Sequence, residues 1–210
     1  MPPGPRELLG IPARRRTWLG FVYLAIGIAL VAPYGTLAEM LRTAVEPALG
    51  AAALVLAIVV CFVVLPLATG MLAAVRELEI VAVRGLLGVE LAGEPSHAAP
   101  SWSTRWRGAT WYLLHVIAGG TMAGLTLALP AFAFAALRAP LAKDDVRLDP
   151  LDVTVGGGSE SAWVVALAVL AIAALLYLAA ATCALLGRIA PRLLGPSPAE
   201  RLAALERHAA

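Results

Sequence analysis

The densest group of side chains able to do chemistry lies in residues 138–160, where Asp144, Asp145, Asp149, Asp152 and Glu160 place five carboxylates on one short segment. Clustered carboxylate oxygens attract hard cations or cationic ligands, so these five are the candidate ligand-sensing residues. Their spacing does not match a calcium-binding loop, and the reading stops at a receptor surface. His97, His115 and His208 share no metal-ligand spacing with a cysteine or carboxylate. Gly156, Gly157, Gly158 and Ser159 form a glycine-rich run with no lysine after it, so it is expected to be a flexible hinge rather than a phosphate loop. No serine or cysteine has a plausible base on its side of the chain's hydrophobic segments. The sequence therefore predicts no catalytic residue, no metal ligand and no cofactor.

The elements that must carry these residues are four long apolar stretches, at about residues 17–41, 48–75, 111–137 and 161–186. Each reaches the ~20 residues that cross ~30 Å of hydrocarbon. With 60% hydrophobic and 14% charged residues, the chain carries more apolar surface than a water-soluble domain of this size could bury. Hydrocarbon offers no partner to an open amide, so each stretch is expected to be a helix. The fold class is all-α: a polytopic membrane protein with four transmembrane helices and the lipid bilayer as first partner.

Basic residues set the orientation. Arg6, Arg14, Arg15, Arg16, Arg76, Arg84, Arg105, Arg107, Arg188, Arg192, Arg201 and Arg207 fall on one side, against Arg42, Arg138, Lys143 and Arg147 on the other. The positive-inside rule then places both termini and the central loop in the cytoplasm, with residues 138–160 outside. A net charge of +2 gives no reason to expect nucleic-acid binding. Arg14 to Arg16 before an apolar run imitates a signal peptide, but the run from Trp18 meets no charge until Glu39, far beyond an h-region, so it is read as the first span. Cys61 and Cys183 fall at different depths in their spans and are expected to stay unpaired.

Inside the spans, Pro33, Pro66 and Pro130 can kink their helices, and Gly120 with Gly124 forms a Gly-x-x-x-Gly that would admit a close neighbour. No carboxylate or lysine is expected at mid-membrane, and His115 reads as a hydrogen-bonded histidine among aromatics. Between the second and third spans, Arg76, Glu77, Glu79 and Arg84 interleave with Leu78, Ile80, Val81, Val83, Leu86 and Leu87, as in a short helix lying in the interface. The segment Arg188 to Leu194 looks like its counterpart, so Arg84, Leu86, Leu87, Arg192, Leu193 and Leu194 are the expected interfacial residues. Each half of the chain thus reads as span, outer loop, span and amphipathic segment ending in Leu-Leu-Gly, a parallel repeat. Both segments could equally be the ends of long tilted helices.

Ser197-Pro198-Ala199-Glu200 is a capping box with proline at the first helical position. It opens a helix over residues 196–210 whose Ser197, Glu200, Arg201, Leu202 and Leu205 are the candidate partner-docking residues. The organisation expected is a basic N-terminus at 1–16, a membrane domain at 17–195 and this terminal helix.

The two-by-two span layout, Arg84-Gly85-Leu86-Leu87-Gly88 after the second span, the acidic loop leading into Trp163, and the run from Arg192 through Leu-Leu-Gly-Pro-Ser-Pro-Ala-Glu to Arg201 and Leu202 resemble the sensor domain of high-GC Gram-positive bacteria, found at the membrane N-terminus of two-component histidine kinases. Fifteen arginines against one lysine suit a GC-rich genome. The resemblance spans about residues 13 to 207 and is most specific at Leu-Leu-Gly-Pro-Ser. It implies a module of the bacterial cytoplasmic membrane that senses a stimulus and relays it, without catalysis of its own, to a separate cytoplasmic or membrane regulatory or transport protein. The kinase part of the family is not in this sequence, and His208 lacks a phosphoacceptor motif. Association as a homo-oligomer is left open. The alternative reading is a small transporter or a subunit of a membrane complex, suggested by the repeat and the proline-bearing spans.

Overall fold

The computed structural model describes residues 15–91, 101–148 and 153–196. Helix α1 (Arg15–Leu49) turns at Gly50 into a span over Ala52–Gly70, α2. A break at Met71 and Leu72 leads to a short helix, α3 (Ala73–Ala82), which widens into a π-helical turn over Val83–Leu87. Helix α4 (Trp102–Arg138) follows, then a hairpin of β1 (Val146–Leu148) and β2 (Val153–Val155), then α5 (Ala162–Leu193). α1, α2, α4 and α5 are long and apolar enough to cross a membrane. The molecule has an arginine-rich end, with Arg15, α3 and the close of α5, and a hairpin end.

Three helices outrun their apolar cores. α1 was expected to stop near residue 41 but continues to Leu49, because Arg42 is neutralised within the helix: its guanidinium meets Glu39 at 2.6 Å and Glu46 at 2.7 Å, one turn to each side. α4 begins nine residues before the expected 111, where the Ser101 hydroxyl accepts from the Thr104 amide at 3.3 Å and caps the helix. Trp102 and Trp106 then extend from the first turns in an edge-to-face pair. α5 runs through residues 188–193 without a break, so the amphipathic segment there is the end of a long helix and not a separate interfacial one.

α2 contains a π-helical turn at Val60–Val64, directly before Pro66. Proline has no amide to give, and a wider turn lets the helix pass its ring with the neighbouring carbonyls still bonded. Gly50 (φ 53°) and Gly88 (φ 64°) supply the left-handed residues that end α1 and the π turn after α3.

α1 and α4 cross in backbone contact. A Cβ on Gly119 would lie 2.5 Å from the Gly27 Cα, leaving no room for any other residue. The expected Gly-x-x-x-Gly is not the seam: Gly120 faces Val31, and around Gly124 there is open space. α2 closes on α4 through Gly70, whose missing Cβ admits Ala109 and Tyr112. Tyr34, Thr69 and Tyr112 join their hydroxyls across this junction, each contact 3.2 Å long.

Candidate functional site

α3 is turned inside out relative to the expected interfacial helix. Positions 76, 79 and 83 share one helical face at spacings of three and four, and that face points into the bundle: Glu79 is only 6% exposed and Val83 is fully buried. Leu78 and Val81 point outward at 69% and 68% exposure. Lipid accepts such leucines and valines, so a helix can put its charges inward provided they find partners there.

Glu79 finds three. Its Oε2 accepts from the Tyr23 hydroxyl at 3.0 Å and from the Trp111 indole N–H at 3.0 Å. Its Oε1 lies 2.8 Å from His115 Nδ1. The fully buried His115 ring stacks on Tyr23 with centroids 4.0 Å apart, and its Nε2 is 3.1 Å from the Tyr23 carbonyl oxygen. Gly27 makes space for that ring, since a Cβ there would come within 3.1 Å of it. A buried carboxylate is tolerable only when its lone pairs are answered, and these donors from α1 and α4 answer them.

One turn before Glu79, on the same face, Arg76 donates to the Leu194 carbonyl at 2.6 Å. Arg107 of α4 donates to the Arg192 carbonyl. These carbonyls are among the last of α5, which lack partners inside the helix and carry the negative end of its dipole. Arg84 donates to the Leu91 carbonyl at 3.0 Å, holding the segment after the π turn. The leucines expected at the interface pack inward: Leu194 is buried with Tyr23, Trp111, Leu186 and Ala190, and Leu86, Leu87 and Leu193 lie against that cluster. The carboxylate network and the end of α5 are therefore both held by the inward face of one short helix.

At the hairpin end, Leu148 is the anchor. It is buried against Phe132 and Ala136 of α4 and Val164 and Ala168 of α5, which fixes the hairpin across both helices in the register Val146 to Val155. Asp144, Asp145 and Glu160 are exposed, and Asp149 and Asp152 lie outside the described residues. No group of three metal-ligating side chains occurs among the described residues. Asp145 instead borders a cleft of about 430 Å³ with Arg138 and Arg147. Glu160 is the middle residue of the turn Ser159–Ser161 that leads into α5. The glycine run expected to hinge is bonded: the Gly158 amide donates to the Ala139 carbonyl at 3.1 Å, and Gly157 is pressed against the Ala142 and Asp144 carbonyls.

Ser197, Glu200, Arg201, Leu202 and Leu205 lie outside the described residues, as do His97 and His208. Cys61 and Cys183 are both free thiols. The residue that sequence reasoning passed over is Glu79, read as one charge among several on a polar face. Its signal was the spacing Arg76, Glu79, Val83, one stripe of a helix whose other positions are aliphatic apart from Glu77. Comparison of the chain with family models, curated proteins and solved structures gives no match.

Proposed function

We propose that the chain is a membrane-embedded sensing module that passes a stimulus to a separate partner through the exit of α5, without chemistry of its own. The observation that carries this reading is the double role of α3: Glu79 ties it to α1 and α4, and Arg76 ties it to the last carbonyls of α5. A change in how α1 and α4 lie against each other has a short route to the point where residues 196–210 leave the membrane domain. The arginine-rich end faces the cytoplasm, which the twelve-to-four division of basic residues favours, and the carboxylates of residues 138–160 face the opposite side.

The test is recovery of partners from membranes of the native host with an N-terminally tagged chain. A partner should co-purify with the full chain, weaken with Arg76→Ala and Arg107→Ala combined, and be lost when residues 196–210 are removed. Undiminished recovery in both altered chains would refute this route. A second reading, a small transporter or complex subunit, gains one specific support: a carboxylate does sit among the helices, at Glu79. Uptake of a substrate by vesicles holding the purified chain alone, lost in Glu79→Gln, would decide for it.

A further inference from the structure

We propose that the cleft between α4 and the hairpin binds the headgroup of an anionic phospholipid, with Arg138 and Arg147 holding its phosphate and Phe134 and Ala131 carrying the start of an acyl chain. The cleft, about 430 Å³ in volume, has two walls. Ala131, Phe134, Ala135 and Arg138 lie at spacings of three and four and form one face of α4. Val146 and Arg147 of β1, with Asp145 just before them, close it from the hairpin. Leu148, buried against α4 and α5, fixes that second wall in place. The lining is therefore graded, apolar along the helix and charged where the helix ends.

Depth decides what reaches this cleft. Leu137 and Leu141 flank Arg138 in the chain and are 59% and 86% exposed, a surface suited to hydrocarbon rather than water. Arg138 is the last residue of α4, so its charge falls where a bilayer passes from acyl chains to headgroups, at the level of the lipid phosphates. Its guanidinium lies over the Phe134 ring, 5.7 Å from the centroid, which holds the cation beside the apolar wall. A guanidinium carries five N–H donors in a planar fork suited to phosphate, so each arginine can keep another partner and still take a phosphate oxygen. Asp145 is the one carboxylate of the lining, against two guanidiniums. Its Oδ1 lies on the hairpin side, 3.9 Å from where a Cβ on Gly156 would stand. Lys143 and Asp144, the next two residues back, are exposed and of opposite sign. These charges suit an anion, whereas the carboxylate cluster in the sequence suggested a cation. A phosphate ion alone would leave the wall of Ala131 and Phe134 bare; a lipid covers both parts. The inference needs α4 in a bilayer, and it depends neither on signalling nor on which end faces the cytoplasm.

The test is photo-cross-linking of the full purified chain in phosphatidylcholine vesicles that hold a small fraction of phosphatidylglycerol with a diazirine on an acyl carbon near the glycerol. Cross-linked peptides are then mapped by mass spectrometry. Peptides covering residues 131–148 should be labelled several-fold more than by the matching phosphatidylcholine probe at the same fraction. That comparison needs no altered chain, and equal labelling by the two probes would overturn the proposal. Arg138→Gln combined with Arg147→Gln should remove most of the excess. Labelling around Trp102 and Trp106, at the other end of α4, should stay unchanged and report that the altered chain is still inserted. An excess that survives both substitutions would equally overturn the assignment. Unlabelled phosphatidylglycerol should compete the signal away, and millimolar inorganic phosphate should do no more than chloride at equal ionic strength. Competition by inorganic phosphate beyond that of chloride would give the cleft to a soluble anion and refute the lipid.

Discussion

Trp111 gives a single hydrogen, its indole N–H, to a largely buried carboxylate, and the bond is 3.0 Å long. Trp111→Phe keeps most of the ring's packing and removes that donor, so it should cost about 1.5–3 kcal/mol, as bonds to charged or charge-sharing groups do. Glu79→Ala should cost more, roughly 3–5 kcal/mol, because Tyr23, Trp111 and His115 would all face an apolar gap. Both are checked by the midpoint of detergent-induced unfolding, and a loss below about 0.5 kcal/mol for Trp111→Phe would mean that the carboxylate is satisfied without it. Part of this site was legible in the sequence. His115 was expected among aromatics with its hydrogen bonds made, and it is, stacked on Tyr23. Its carboxylate partner was not, because Glu79 and His115 are 36 positions apart. Charge alternation along residues 76–84 resembles a water-facing surface unless one asks what the leucines beside it would face.

α3 shows the same ambiguity for a whole element, since an amphipathic helix read from sequence has two faces and no label for which one looks outward. In water the apolar face turns in; here Leu78 and Val81 turn out. Helix ends were also partly hidden. Hydropathy located the four apolar runs because each exceeds the bilayer thickness, but it stopped at Glu39 and Arg42, where intrahelical ion pairs let α1 continue. The glycine pattern Gly120 and Gly124 named the right helix and the wrong residues, since spacing along one chain does not say which face meets a neighbour. Gly119→Ala should therefore destabilise the fold by at least about 1–3 kcal/mol, as overpacking does. Gly124→Ala, with nothing within 4 Å of the new methyl, should be neutral or stabilise by up to about 1 kcal/mol. The same unfolding measurement separates the two, and equal effects would place the seam elsewhere.

For the whole molecule, the proposed orientation predicts that single cysteines at Ser101 and Ser159, both exposed, react with membrane-impermeant reagents from opposite sides in a chain freed of Cys61 and Cys183. Ser159 should label in intact cells and Ser101 only after the membrane is opened; the reverse pattern would invert the topology. The internal repeat is the least legible claim at this scale, because its first half closes with a broken-off helix and its second with an unbroken one. The contact of Gly27 with Gly119 has a mechanical consequence. With no side chain between them, α1 and α4 can pivot about that point as about a fulcrum, provided the contacts on either side of it, Tyr23 with His115 and Val31 with Gly120, shift with the swing. Along α4 the two arms are nearly equal, about 28 Å from Gly119 to Arg138 and about 25 Å from Gly119 to Trp102, at 1.5 Å per residue. A displacement applied where Leu148 grips α4 would thus emerge at the tryptophan-bearing end at nearly full size and in the opposite direction. His115 sits one helical turn from the pivot, where the swing is smallest, so the stacked ring and its carboxylate would tilt while the distant ends travel.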